Sequence, residues 1–194
     1  MARTDRLKWD EKYRRDAGLL MREKPARFVE AYWHYAGGRR AVDLACGGGR
    51  NALYLARKGF TVDALDISPV AIEALAKRAE GLPVRAVVTD LDGYEPPAGC
   101  YDLAVMANFL DRDLMKRVAD ALNPGALFIV ETYMKHPRNE KRGNPDFLLE
   151  PGELRRLFDD GYRTIAYEEF WNDGEGERYA MRKQAICVRR RSDG

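Results

Sequence analysis

Histidine and cysteine are scarce in this chain, with two of the first and three of the second among 194 residues. His34 and His136 stand far apart in sequence, which removes any His-based zinc pattern and any evident Ser-His-Asp arrangement. Cys46, Cys100 and Cys187 are odd in number and scattered, so no disulfide framework is expected and a reducing compartment fits. A charge imbalance is missing too: 33 Lys+Arg against 31 Asp+Glu leave a formal net charge of +2. No global field then draws the chain to nucleic acid or to a membrane. No apolar run approaches membrane length and the charged start does not resemble a signal peptide, so a cytoplasmic location is expected. Repeats, low-complexity tracts and an interdomain linker are also absent. Residues 1–194 therefore read as one domain, large enough to bury roughly 70% of the surface its unfolded chain exposes.

What the chain holds instead is Asp43-Leu44-Ala45-Cys46-Gly47-Gly48-Gly49-Arg50-Asn51, where a buried-looking run breaks into three glycines and resumes at helical spacing. This predicts a strand, a tight turn and a helix start. Glycines permit left-handed backbone angles and close ligand approach, while the free N–H groups of a helix from about Arg50 favour an anion. A nucleoside-containing cofactor is the expected ligand. Strand-like runs occur at Ala41 to Ala45, Thr61 to Asp66, Val84 to Val88, Tyr101 to Ala107 and Ala126 to Glu131. Helical patterns from Arg50 to Lys58, Pro69 to Ala79 and Asp111 to Leu122 separate most of them. Right-handed crossovers turn such a series into a doubly wound, mostly parallel α/β sheet with its crevice at the carboxyl ends of the strands. Beyond Pro151, a helix Gly152 to Phe158, a strand Arg163 to Phe170, a turn at Asp173-Gly174-Glu175-Gly176 and a strand Tyr179 to Arg189 predict an antiparallel C-terminal hairpin. That makes a seven-stranded, Rossmann-like sheet. Residues 1–38, with Trp9 and Tyr13 and then Phe28 and Tyr32 at i, i+4, read as N-terminal docking helices on a core of residues 39–131. Residues 132–194 supply a long charged loop, expected to be a lid, then the helix and the hairpin.

The glycine loop alone leaves the cofactor open, because Gly47-x-Gly49-x-x-Ala52 with Asp66 downstream also satisfies a nicotinamide dinucleotide fingerprint. The acidic residues weigh against a pyrophosphate. Asp43, Asp66 and Asp90 follow the first three strands and would line one crevice, which suits a ligand bearing an amino group, a sulfonium and an adenine amine. These residues resemble the class I S-adenosylmethionine-dependent methyltransferases, whose first motif is an acidic residue followed by x-Gly-x-Gly-x-Gly. The resemblance extends through Asp66-Ile67-Ser68, Thr89-Asp90-Leu91, Tyr101-Asp102-Leu103 and Leu122-Asn123-Pro124-Gly125-Ala126-Leu127, most of positions 40 to 131. It implies a cofactor site of Asp43, Ala45, Gly47, Gly49, Asn51, Asp66, Ile67, Ser68, Asp90, Leu91 and Asn108. Within it the glycine loop and Asp43 hold the methionyl end, Asp66 takes the ribose hydroxyls, Asp90 faces the adenine amine, and Asn108-Phe109 border the methyl group. Ala45 departs from the family by standing where its first glycine usually is.

More narrowly, Trp9-Asp10-Glu11-Lys12-Tyr13, Gly49-Arg50-Asn51-Ala52-Leu53-Tyr54-Leu55-Ala56 and Phe147-Leu148-Leu149-Glu150-Pro151-Gly152-Glu153-Leu154 are similar to the tellurite-resistance and thiopurine-methyltransferase-like branch. That resemblance implies methyl transfer to a small-molecule acceptor, a soft sulfur, selenium or tellurium nucleophile among the options, with Tyr13, Phe109 and Arg178 as acceptor-side residues. Phe170-Trp171 stand where tellurite-active members carry His-Arg. A non-catalytic S-adenosylmethionine-binding domain and an NAD(P)-dependent oxidoreductase remain as alternatives. Ser68 before Pro69 and Asp111 before Arg112 also suit helix caps, so Asp111-x-Asp113 is expected to cap and not to bind metal. Cys46 is expected to pack.

Overall fold

The structure, a computed structural model, describes residues 2–141, 143–158, 161–172 and 179–192. Two short helices come first, α1 (Ala2–Arg15) and α2 (Arg27–Tyr32), before the alternation of β1 (Arg40–Leu44), α3 (Arg50–Arg57), β2 (Thr61–Asp66), α4 (Pro69–Arg78) and β3 (Val84–Val88). The chain continues through β4 (Leu103–Ala107), α5 (Arg112–Ala121), β5 (Leu127–Tyr133), α6 (Glu153–Leu157), β6 (Tyr162–Trp171) and β7 (Arg182–Arg190). The seven strands form one sheet in the order β3-β2-β1-β4-β5-β7-β6. β7 runs antiparallel to both β5 and β6, while the other pairings are parallel.

Central strands such as Arg40–Leu44 and Leu103–Ala107 are buried almost throughout, because a parallel sheet is covered on both faces. On one face α2, α3 and α4 contribute Phe28, Val29, Leu53, Leu55, Ile72 and Leu75 to a core with Ala41, Ala64 and Ile129. On the other, α5 and α6 pack Leu114, Met115, Val118 and Leu154 against Val42, Leu44, Met106 and Phe128. Helix starts follow local chemistry: the Ser68 hydroxyl accepts the N–H of Ala71 and Pro69 opens α4, and Asp111 accepts the N–H of Leu114 at α5. From β1 the chain winds outward to β2 and β3, then returns to β4 on the other side. The carboxyl ends of β1 and β4 are therefore the switch point where such a sheet opens a crevice.

Element ends shift by a residue or a few from the sequence expectation. β4 starts at Leu103, since the Asp102 carboxylate is taken by the N–H of Arg40 and the side chain of Asn123, each at 3.0 Å. β7 starts at Arg182, after a segment in which the Asn172 side chain bonds Tyr179 and Met181. The turn expected at Asp173 to Gly176, and Arg178 with it, lie outside the described residues. Across β5 and β7 a buried ion pair joins Glu131 and Lys183 at 3.3 Å, with side chains 1% and 0% exposed. Glu131 also accepts the N–H of Phe28 in the first turn of α2, which ties the N-terminal segment to the sheet. Among the described residues no helix is long and apolar enough to cross a membrane.

Candidate cofactor site

Between β1 and α3 three residues adopt left-handed angles at every second position: Ala45 (φ 54°), Gly47 (φ 54°) and Gly49 (φ 78°). Such alternation curves the backbone tightly, with the N–H of Gly47 taken by the Asp66 carboxylate at 2.8 Å and that of Gly49 by the Cys46 carbonyl at 2.9 Å. The loop is held to β2 by the N–H of Cys46 on the Leu65 carbonyl at 2.9 Å. A side chain at Gly48 would run into the Leu20 backbone, and one at Gly49 into Leu75. Those two glycines let the N-terminal segment and α4 close onto the loop. At Gly47 a Cβ would stand 3.1 Å from the Tyr13 hydroxyl.

Asp66, at the end of β2 and 5% exposed, accepts the N–H of Gly47 at 2.8 Å and of Ser68 at 2.9 Å. Burial holds its carboxyl above the usual range, with Asp10 adding to the rise against the pull of those N–H donors. A carboxylate has about four acceptor positions, so two used by the backbone leave capacity for a pair of hydroxyls. Asp43 is more deeply enclosed at 1% exposure. Its Oδ2 accepts the N–H of Ala52 at 3.1 Å inside the first turn of α3, while Oδ1 has no partner. Burial pushes its carboxyl up to about 7, against the lowering by Ala52, Asn51 and Arg50. Asn51 works as a brace, accepting the N–H of Ala26 at 2.9 Å. Asp90 lies exposed past β3, where one oxygen closes a turn with the N–H of Asp92 at 3.1 Å.

At the end of β4, Asn108 is left-handed (φ 57°) and its buried Oδ1 has no partner, with Phe109 half-buried beside it. Strained backbone and an unsatisfied acceptor together mark a functional edge. Ile67 is half-buried and Leu91 buried, whereas Ser68 is fully enclosed, capping α4 and donating to Asp10 at 2.5 Å. α1 thus delivers Asp10 to Ser68 and Tyr13 to Gly47, with the rings of Trp9 and Tyr13 5.5 Å apart. Burial, then the charge of Asp66, pushes the Tyr13 phenol well above its usual range. The N-terminal cover expected from the sequence sits over the glycine loop. The loop of residues 134–151 behaves differently among the described residues: its hydrogen bonds run to Arg112, to the start of β7 and back to Leu149.

Sequence reasoning missed Arg78. At the end of α4 its guanidinium donates to the carbonyls of Leu20 (2.5 Å), Gly48 (2.8 Å) and Arg22 (3.1 Å), clamping cover and loop together. Nothing in its spacing distinguishes it from a solvated last-turn arginine. Asp10 and Arg50 were visible only as members of longer motifs. Asp111 caps α5, and among the described residues no three His, Cys, Asp or Glu side chains gather as a metal site.

The residues fit S-adenosylmethionine: a tightly curved glycine loop, a carboxylate with spare capacity beside it, and orphaned polar atoms on both sides. Residues 41–125 match the family described as a methyltransferase domain. The sheet order, with β7 inserted antiparallel between β5 and β6, sets the chain apart from the dinucleotide-binding order 3-2-1-4-5-6. The chain has the fold of the class I S-adenosylmethionine-dependent methyltransferases, and S-adenosylmethionine is the cofactor that the match of residues 41–125 supports. In fold it is similar to TehB of Haemophilus influenzae, with a TM-score of 0.75 at 22% identity over 86% of this chain and 63% of that one. A Burkholderia thailandensis 1,6-didemethyltoxoflavin-N1-methyltransferase gives a TM-score of 0.71 at 18% identity, covering 96% of this chain and 87% of that one. In sequence it is 36% identical over 100 residues to a trans-aconitate 2-methyltransferase of Mycobacterium tuberculosis, covering 48% of this chain and 36% of that protein. A ubiquinone biosynthesis O-methyltransferase of a Caulobacter species is 32% identical over 111 residues, covering 49% of this chain and 41% of the relative. The chain thus spans about two fifths or less of the length of these curated relatives.

Proposed function

We propose that the protein is an enzyme that moves the methyl group of S-adenosylmethionine to a small soft acceptor, a sulfur, selenium or tellurium nucleophile. The carrying observation is the edge beyond β4 and β5. Glu131, opposite Ala107 in register, commits its carboxylate to Lys183 and the N–H of Phe28. His34 stacks on Tyr35 and His136 packs edge-on against Trp171. The Glu131 carboxylate is thus already engaged, and both histidines pack on aromatic rings; a soft nucleophile, which needs little deprotonation, suits such an edge. When bound, the cofactor supplies a methyl group on a sulfonium, which is already a good leaving group.

The chain's residues then have a positional task. Asp66 orients the ribose, the loop from Ala45 to Gly49 seats the amino-acid end, and Asn108 with Phe109 borders the reacting face. Tyr13 covers the loop and excludes water, its ring available to a cationic sulfur. Arg178, outside the described residues, is retained as an acceptor contact on the branch resemblance alone. Holding donor and acceptor at attack distance is worth on the order of 7–11 kcal/mol, which makes a strong base dispensable. The test is methyl transfer from labelled S-adenosylmethionine across thiols, selenite, tellurite, halides, phenols, amines and carboxylates. Turnover concentrated on the thiols and chalcogen oxyanions is expected. Transfer confined to phenols or carboxylates would replace the soft acceptor with an oxygen one, the reading the names of the curated relatives favour. Bound cofactor without transfer to any of them would leave a binding domain.

A further inference from the structure

At the end of the sheet opposite the cofactor crevice, Arg163, Arg189, Arg190 and Arg191, with Ser192 beside them, line an open cleft of about 380 Å³. The strand registers bring them together: Arg189 faces Leu127 at the start of β5 on one side and Arg163 of β6 on the other. Like charges directly across a strand pair weaken a sheet. Here no carboxylate offsets them, since none of the four arginines enters an ion pair among the described residues. The two inner guanidiniums rest on neutral carbonyls instead. Arg189 donates to Gly125 (2.8 Å) and Tyr35 (2.7 Å), and Arg190 to Leu122 and to Asp120 (2.8 Å), which gives its backbone oxygen and not its carboxylate. These bonds fix the two heads without neutralising them, and use fewer N–H groups than a guanidinium carries. Arg163 and Arg191 stand exposed at the rim.

We propose that this cleft is a second binding site, separate from the cofactor crevice, for a small molecule that carries a chain of phosphates. The planar fork of an arginine matches phosphate oxygens in pairs, and several guanidiniums converging on one cleft suit an anion of several charges better than a single carboxylate. The volume is that of a small-molecule pocket. Among the described residues no aromatic side chain lines it, which removes the stacking platform that single-stranded nucleic acid uses, and a net charge of +2 supplies no wider basic track. Arg189 and Arg190 form the fixed floor of the site. Arg163 and Arg191 meet the ligand from β6 and from the residue after β7.

The test is calorimetric titration of the full chain with inorganic tripolyphosphate and with ATP, at an ionic strength held constant with chloride. One-to-one binding with a dissociation constant below about 1 mM is expected. Equal affinity for the two probes assigns the site to the phosphate chain alone, and tighter ATP binding that tripolyphosphate displaces assigns it to a nucleotide; both uphold the proposal. The double variant Arg163→Gln/Arg191→Gln should weaken tripolyphosphate by about ten- to a hundredfold, the loss of charge-assisted hydrogen bonds. Without ligand it should melt at or above the wild-type temperature, because like charges have been removed from one corner. No binding of tripolyphosphate to the wild-type chain, or an affinity unchanged in the double variant, would overturn the proposal. So would a variant that melts well below wild type, which would make these arginines supports of the hairpin. Binding of a single-stranded oligonucleotide by a chain that ignores tripolyphosphate would overturn it in favour of a polymer.

Discussion

At the residue scale, the left-handed angles of the loop separate local strain from ligand chemistry. Ala45 occupies an angle that costs an L-residue about 1–2 kcal/mol, part of which glycine returns as extra unfolded-chain entropy. Ala45→Gly should therefore stabilise the chain by up to about 1 kcal/mol in denaturant unfolding and leave cofactor affinity intact. Asp66→Ala should weaken S-adenosylhomocysteine by about ten- to a hundredfold in calorimetry, because two hydroxyls lose a charged acceptor. Asp43 couples stability to pH. Burial holds its folded carboxyl near 7 against an ordinary 3.8, with the Ala52 N–H, Asn51 and Arg50 drawing it down and the charge of Asp66 adding to the rise. The folded state thus holds this proton more tightly than the unfolded one. Its contribution is fully present below the ordinary carboxyl value and is lost as pH rises through about 7. Unfolding free energy should fall across that window in wild type and fall less in Asp43→Asn. Asp43 and Asp66 were legible in the sequence because an acid at a strand end beside a glycine turn is a local pattern. The bonds of Arg78 and Arg50 were not, since their partners lie on Leu20, Arg22 and Lys24, far away along the chain.

At the element scale, the cover over the loop is held by contacts that carry little apolar area. α1 and the turn after it pack through Trp9, Tyr13 and Leu20 onto Val70, Ala71 and Ala74, a cluster separate from the two faces of the sheet. Its polar anchors are Asp10 on Ser68 and the Arg78 clamp. Segments with few buried contacts open most readily, so α1 is the element expected to lift for cofactor entry. Arg78→Met should speed amide exchange through residues 2–22 while leaving β1, β4 and β5 protected, and added S-adenosylhomocysteine should slow it again. Uniform exchange across variant and wild type would show that the clamp carries no part of the closure. Helix positions were readable from their caps, Ser68-Pro69 and Asp111, and from apolar periodicity. The docking of α1 onto α4 was not, because that contact is tertiary and the helix has no strongly apolar face of its own.

At the scale of the whole molecule, the alternation of strands and helices, together with right-handed crossovers, foretells the parallel half of the sheet and its switch point. The order of the last two strands is a different matter. An antiparallel hairpin after β5 can add either strand to the edge first, and sequence periodicity does not choose between them. β7 takes the inner place because Ala185, Ile186, Cys187 and Val188 are buried on both faces, whereas β6 keeps half-exposed positions and a bulge near Thr164. With β7 inside, Lys183 reaches Glu131 and engages its carboxylate in a buried ion pair.

The central claim is that the loop from Ala45 to Gly49 is an S-adenosylmethionine cradle. Its most direct measurement is calorimetric titration of the full chain with S-adenosylhomocysteine and, in parallel, with NAD+, repeated on Gly47→Val. A branched side chain at Gly47 resists the left-handed angle and presses on the Tyr13 hydroxyl. One-to-one binding of S-adenosylhomocysteine is expected, with no heat from NAD+ and loss of binding in a Gly47→Val protein that remains folded by circular dichroism. Binding of NAD+ in place of S-adenosylhomocysteine, or undiminished S-adenosylhomocysteine affinity in Gly47→Val, would contradict it.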